Sequence, residues 1–237
     1  MKTTTVLFDL DGTLVPMDQD IFINDYFSRL TKKISAFGYT PEQFTGAMWR
    51  SIGAMIKNDG QDSNEKVFWK IFSAELGEDV LDHMPAFDEF YENEFDKVKA
   101  VCGYNPKAAE TVRKIKASGL RVALATNPLF PKKATEIRIS WAGLQPEDFE
   151  LFTTYENTAW CKPSLEYYKE VIRRLGVSPE ECLMVGNDVG EDMIAEKLGM
   201  KVFLLTDCII NRKNEDITKY RSGSFDELSE YVEEINK

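Results

Sequence analysis

The stretch Val6-Leu7-Phe8-Asp9-Leu10-Asp11-Gly12-Thr13-Leu14 sets an apolar run directly ahead of two carboxylates. The run reads as a buried strand, so the aspartates fall at its carboxyl end. Charge is costly there, because two neighbouring anions repel and a desolvated carboxylate needs a proton or a cation beside it. Magnesium suits such a pair, since it takes one or two carboxylates together with waters and substrate phosphate oxygens. The competing reading is an ordinary strand end followed by an Asx turn, for which Asp and Gly are common residues.

Outward from this stretch the chain has two textures. From Pro106 onward, helix and short apolar strand alternate. Lys107 to Ser118 carries Ala108, Val112 and Ile115 at helical spacing, Gly119 stops the helix, and Leu120 to Ala125 reads as a buried strand. Leu165 to Leu175, Gly176 and the strand Glu181 to Val185 repeat the unit. Asp192 to Leu198, Gly199 and Lys201 to Leu205 repeat it again. This alternation predicts an α/β fold with a parallel sheet covered by helices.

Residues 17–100 behave differently. Phe22, Tyr26, Phe27, Leu30, Ile34 and Phe37 recur at helical spacing, and Phe44, Met48, Ile52, Met55 and Ile56 do so after Pro41. Glu65 to Leu76 and Phe87 to Val98 read as two further amphipathic helices, with no strand between them. An all-helical block is therefore inserted after the first strand. Ligands of open α/β sheets bind beyond the carboxyl ends of the strands, so a block leaving from that end is expected to cap the site. The predicted division is a core of residues 1–16 and 101–237 with a cap of residues 17–100. The cap's aromatic residues, among them Trp49, Trp69, Phe68, Phe72, Phe90 and Tyr91, are expected mostly to fill its own core, a minority facing the substrate.

Each core strand ends in polar residues. The first delivers Asp9 and Asp11, the second Thr126-Asn127, and the third Gly186-Asn187-Asp188 with Asp192 beyond. Cys161-Lys162-Pro163-Ser164 puts a lysine just ahead of a helix, with Pro163 near the helix start. Singly these are turn and cap residues; in this order they resemble the four motifs of the haloacid dehalogenase superfamily, in the subgroup with a helical cap after the first strand. The resemblance covers Lys2 to Leu14 and about Val101 to Leu205.

The resemblance implies a doubly wound, Rossmann-like parallel sheet and a set of roles. Asp9 matches the nucleophile that forms an aspartyl-phosphate, splitting one hard step into two easier ones. Asp11 matches the general acid and base, and spacing by two points both aspartates the same way along an extended chain. Thr126 and the backbone of Asn127 match the phosphoryl-binding pair, and Lys162 the lysine that neutralises phosphoryl oxygens and nucleophile. Mg²⁺ is expected on the Asp9 side chain, the Asp11 backbone carbonyl and an acid of the last motif. Relatives often read Gly-Asp there, whereas this chain reads Gly186-Asn187-Asp188, so Asn187 and Asp188 are both candidate ligands. Charge favours Asp188, because a carboxylate offsets the desolvation of the ion better than an amide. Asp192 is expected to hold a metal-bound water or to orient Lys162.

The implied function is a magnesium-dependent phosphatase acting on a small-molecule phosphomonoester. A phosphomutase, such as a sugar-phosphate isomerase, shares the same motifs, and a non-catalytic phosphate-binding or regulatory protein is a third reading. Dehalogenation is disfavoured, because enzymes of that activity lack the second aspartate, here Asp11.

Composition agrees. A net charge of -11 over 237 residues argues against a nucleic-acid surface. Cys102, Cys161, Cys182 and Cys208 form no Cys-x-x-Cys pair and read as reduced thiols. No apolar stretch is long enough for a bilayer, and Asp9 comes too early for a signal peptide, so a cytoplasmic location with no membrane partner is expected. A monomer or homodimer is expected. His83 reads as a surface or inter-helix residue, Lys132 and Lys133 as a solvated helix start, and Ser224-Phe225-Asp226-Glu227 as a capping box.

Overall fold

In the computed structural model, which describes residues 2–236, β1 (Thr5–Phe8) is buried at every position. It lies between β2 (Arg121–Leu124) and β3 (Cys182–Gly186). β4 (Lys201–Leu205) and β5 (Arg221–Gly223) extend the sheet in the order β2-β1-β3-β4-β5, with every pair parallel. Buried on both faces, the inner strands read as continuous apolar runs rather than alternating ones. The register sets Leu7 opposite Ala123 and Met184, and Phe8 opposite Leu124 and Val185, so the carboxyl ends of the three inner strands are level.

Alternation along β1 sends its side chains to two separate cores. Val6 and Phe8 join one apolar cluster, and Leu7 joins another with Ala123, Met184 and Leu204. Helices cover both faces, as a doubly wound sheet requires. The insertion after β1 comprises α1 (Gln19–Ile34), α2 (Pro41–Ile56), α3 (Asn64–Leu76) and α4 (Met84–Asn93), and contains no strand. On the core side follow α5 (Pro106–Ala117), α6 (Lys132–Trp141), α7 (Leu165–Leu175) and α8 (Phe225–Ile235). In α7, Tyr167, Tyr168, Val171, Ile172 and Leu175 form the buried stripe against the second face, the three aliphatic side chains each contributing about 1.5–3 kcal/mol if fully transferred from water.

The predicted helix Phe87 to Val98 is two elements: α4 ends at Asn93, and a 3-10 segment runs Phe95–Val101. The predicted helix Asp192 to Leu198 is likewise a 3-10 segment, Met193–Leu198, with Asp192 just before it. Pro163 lies ahead of α7 rather than inside it, because Ser164 is the N-cap and accepts from Glu166 N–H. β5 carries no strand signal in the sequence, because Arg-Ser-Gly has no apolar residue, as befits a short exposed edge strand.

The insertion is anchored to the core at the start of α3. Asn64 N–H donates to Thr158 O (3.0 Å) and Glu65 N–H to Tyr155 O (2.8 Å). One apolar cluster runs from the sheet through Phe22, Tyr26, Phe95, Phe130 and Trp141 into the helical block, so the two parts share a core. Phe68, Phe72 and Phe90 fill it as expected, whereas Trp49 remains 52 % exposed. His83 stacks on Phe37 with ring centroids 4.1 Å apart, which matches its reading as an inter-helix residue. The Ser224 capping box forms, and all four cysteines are free. Among the described residues no helix is long and apolar enough to cross a membrane.

Candidate active site

Beyond the level ends of β1, β2 and β3, four segments converge: the turn after β1, the loop after β2, the approach to α7 and the loop after β3. Asp9 N–H donates to Val185 O (2.9 Å) and Ala125 N–H to Phe8 O (2.7 Å), which extends the ladder one residue and fixes Asp9 at the sheet edge. Gly12, with φ +85°, then turns the chain sharply. A side chain there would strike the Asn187 amide as well as strain the backbone.

Lys162 is the centre of charge. Its side chain is fully buried, with Nζ 2.9 Å from Asp9 Oδ1 and 2.6 Å from Asp192 Oδ1. Burial alone would depress the ammonium's pKa, yet Asp192 and Asp9 hold it well above its usual value. Burial pushes the Asp192 carboxyl up, with Lys162 opposing. The other Asp192 oxygen accepts from Asp188 N–H at 3.0 Å. A Cβ on Gly186 would collide with the Asp192 carboxylate, so the strand-end glycine is what lets this acid reach in.

The two candidate ligands after β3 have different surroundings. Asn187 is occupied at both ends: its Oδ1 lies 2.9 Å from the Thr13 hydroxyl, and its Nδ2 donates to Cys208 O at 2.6 Å. The same hydroxyl is 3.0 Å from Asp9 Oδ2, so Thr13 links nucleophile candidate and amide with one proton. Asp188 Oδ1 accepts from Gly190 and Glu191 N–H, while Oδ2 is 2.9 Å from Nη1 of Arg212, a side chain 63 % exposed.

The second aspartate of the motif has a partner the sequence reading missed. Asp11 pairs with Arg138 of α6, whose guanidinium is completely buried and lies 4.1 Å over the Phe130 ring. Burial raises the Asp11 carboxyl, and Arg138 opposes that rise. Its other oxygen, Oδ1, is buried with no hydrogen-bond partner among the described residues. A signal existed in the sequence: Arg138 falls at i+4 from Ala134 and i+3 before Trp141, a cation on an apolar face.

Thr126 is 2 % exposed, and its carbonyl accepts from Thr153 Oγ1 (2.6 Å) and Tyr167 OH (2.8 Å), which pins the loop after β2. The Asn127 side chain stitches loops together: Oδ1 accepts from Lys162 N–H at 3.2 Å, and Nδ2 donates to Glu191 Oε2 at 3.0 Å. Burial lifts the Glu191 carboxyl to about 7. The structure thus brings Asp9, Asp11, Thr126, Asn127, Lys162, Asn187, Asp188 and Asp192 to one edge of the sheet. It adds Thr13, Arg138, Glu191 and Arg212, which sequence reasoning did not single out.

Charge decides what the site can hold. Asp9, Asp11, Asp188, Asp192 and Glu191 meet Lys162, Arg138 and Arg212, so acids outnumber bases, and burial raises Asp11, Asp192 and Glu191 toward their neutral forms. Among the described residues no three His, Cys, Asp or Glu side chains converge to hold an ion by themselves. The oxygen donors gathered there, the carboxylates of Asp9 and Asp188 and the amide of Asn187, are of the kind a hard ion such as magnesium takes together with waters.

Comparison with known proteins bears on this arrangement. Over 235 residues the chain is 28% identical to a glyceraldehyde 3-phosphate phosphatase of Methanocaldococcus jannaschii, covering 98% of each protein. It is 26% identical over 208 residues to a bifunctional riboflavin kinase/FMN phosphatase of Arabidopsis thaliana, spanning 84% of this chain and about half (48%) of that protein. A HAD-hydrolase of Bacillus subtilis, solved bound to magnesium, superposes with a TM-score of 0.55 at 17% identity, over 98% of this chain and 99% of that one. The family model of haloacid dehalogenase-like hydrolases matches residues 3–198, a span that holds every acid and the lysine gathered at the sheet edge. The chain belongs to the haloacid dehalogenase-like hydrolases.

Proposed function

We propose that the chain is a magnesium-dependent phosphatase that hydrolyses a small-molecule phosphomonoester through an aspartyl-phosphate on Asp9. The observation that carries this reading is the buried Lys162, bonded at once to Asp9 and Asp192 where three parallel strands end. A lysine so placed meets the oxygens of a phosphoryl group arriving at Asp9. Both relatives named above are called phosphatases, one of them with a second activity, which supports the same reaction class.

The residues divide the work as follows. An Asp9 oxygen attacks phosphorus, and the bond from phosphorus to the ester oxygen breaks. Asp11 in its protonated form gives its proton to the departing oxygen, and burial favours that form. The resulting carboxylate then takes a proton from a water that attacks the phosphorus of the acyl phosphate, releasing inorganic phosphate and restoring Asp9. Arg138 stabilises Asp11 when it is charged and fixes the position of its carboxyl. Lys162, with the Thr126 hydroxyl and Asn127 backbone, receives the phosphoryl oxygens, and Asp192 keeps Lys162 charged and oriented.

Magnesium would be held by the Asp9 carboxylate, the Asp11 carbonyl and Asp188, and when bound it supplies positive charge at the transferring group. Asp188 is preferred over Asn187 because its carboxylate offsets the desolvation of the ion better than a neutral amide. Both side chains already have partners, Thr13 and Cys208 for Asn187 and Arg212 for Asp188, so the Arg212 pair would have to open to admit the ion. Residues 17–100 serve as the cap that excludes water and selects the alcohol. The test is phosphate release from a panel of phosphomonoesters, with magnesium and with chelator, for the wild type and Asp9→Asn. Magnesium-dependent release lost in the variant supports the reading; interconversion of isomers without release contradicts it in favour of a mutase.

A further inference from the structure

Between the helical insertion and the core lies a cavity of about 840 Å³. That is near the upper end of small-molecule sites, which run from about 300 to 1,000 Å³. A three-carbon alcohol occupies only a few water volumes of about 30 Å³ each, so it would leave most of this space to solvent. The walls are ring-rich: Phe27, Trp49, Phe68, Trp69, Phe87 and Phe130 all contribute.

Two contacts join the cavity to the chemistry. Phe130 forms part of its wall, and on that ring lies the Arg138 guanidinium that pairs with Asp11. Arg212 also lines it, with Nη1 on Asp188 Oδ2 (2.9 Å) and Nη2 on Gln19 Oε1 (3.1 Å). The cavity thus reaches the chemistry through these two contacts, Phe130 beneath the Arg138 that holds Asp11 and Arg212 on Asp188, while Asp9, Asp11 and Lys162 themselves stand outside its lining. The lining also shows unspent apolar surface. Trp49, 52 % exposed, is held against Phe27 with ring centroids 5.1 Å apart, and Ile56 is 45 % exposed. Large apolar groups left uncovered within a concave wall mark a binding surface.

Charge narrows the occupant. Asp20, Glu65, Asp88, Glu92 and Glu156 line the cavity against Lys133 and Arg212, five acids to two bases. A second phosphate or a carboxylate on the substrate would meet net repulsion there.

Resting on the phosphatase reading, we propose that the substrate is a phosphomonoester whose alcohol carries an uncharged aromatic ring system, seated in this cavity against Trp49. The phosphoryl group is its only anionic group. Three-carbon phosphates, bisphosphates and pyrophosphate are poor substrates for the same structural reasons.

The experiment compares kcat/KM, by phosphate release in magnesium, for adenosine 5′-monophosphate and 1-naphthyl phosphate against glycerol 3-phosphate, phosphoglycolate, fructose 1,6-bisphosphate and pyrophosphate. At least one ring-bearing ester is expected to exceed all four others by about 100-fold or more. Trp49→Ala is expected to narrow that gap by about 10-fold, the lower end of what losing one ring stack costs, with Trp49→Phe restoring most of it. A three-carbon or doubly charged ester that matches the ring-bearing ones, or a gap unmoved in Trp49→Ala, overturns the proposal. Calorimetric titration of free adenosine and 1-naphthol separates the two levels of inference. Ring binding with no phosphate release from any ester overturns the phosphatase reading and upholds the cavity assignment. Release without ring preference overturns the cavity assignment alone, and neither binding nor release overturns both.

Discussion

Replacing Arg138 by Met removes a buried charge while keeping much of the side-chain volume. The guanidinium is fully buried, its partner Asp11 has a side chain 17% exposed, and it stacks 4.1 Å above Phe130. Removing one member of a buried pair costs about 3–5 kcal/mol, because the other charge is left uncompensated. Asp11 keeps a little contact with solvent, so we place the loss near the lower end, ~3 kcal/mol at pH 7.5. With a urea m-value of about 2–3 kcal/mol/M, the unfolding midpoint should fall by about 1 M or more. The pH dependence has a definite sign. Burial already raises the folded-state pKa of Asp11, and loss of Arg138 raises it further. The protonated acid then suits the folded state, so the deficit shrinks as pH falls through the raised pKa and grows again as pH rises through it. Adding Asp11→Asn to Arg138→Met should recover a large part of the loss at pH 7.5. Urea titrations of the three proteins at pH 7.5 and 5 supply the measurement. A midpoint change under about 0.3 M, or no recovery in the double variant, would refute the reasoning.

Other perturbations probe neighbouring parts of the site. Glu191, lifted by burial to about 7, is a raised acid whose stability contribution is complete below its ordinary unfolded value and lost as pH rises through about 7; Glu191→Gln should therefore stabilise the metal-free protein at pH 8 by about 1–3 kcal/mol, with no gain near pH 4, read from thermal or urea unfolding. Asp188→Asn should weaken magnesium, measured calorimetrically, by about 100-fold. Asn187→Ala, which strips partners from Thr13 and the Cys208 carbonyl, should weaken it less and cost about 1–3 kcal/mol of stability; the reverse ranking of affinities contradicts the ligand assignment. Gly186→Ala should cost about 1–3 kcal/mol by driving its methyl into Asp192, and a variant of wild-type stability and activity would show that Asp192 has room to move.

The sheet was legible because its signals are local. Short apolar runs closed by Asp9, Thr126 and Gly186 announce strand ends, and helices stopped by Gly119 and Gly176 fix the alternation. What sequence left open depends on contacts between distant residues. Nothing near Asn187 reveals that its amide is filled by Thr13 and Cys208, one 174 and the other 21 positions away. Arg138 lies 127 positions from Asp11, and its pairing follows only once α6 packs beside the first loop. The break between α4 and the 3-10 segment after it was hidden because Phe87, Phe90, Phe95 and Val98 stay buried across it. A helical period persists on both sides of the change of geometry. Cap aromatics could be sorted into packing and exposed sets only by three-dimensional placement, with Phe72 fully buried and Trp49 half exposed.

The central claim is that Asp9 carries the phosphoryl group. Rapid acid quench of a magnesium-containing reaction with a radiolabelled phosphomonoester, followed by peptide mapping, tests it most directly. The account predicts label on the peptide containing Asp9 during turnover, none with chelator, and none in Asp9→Asn. Turnover by wild type with no labelled protein, together with full activity in Asp9→Asn, would contradict it.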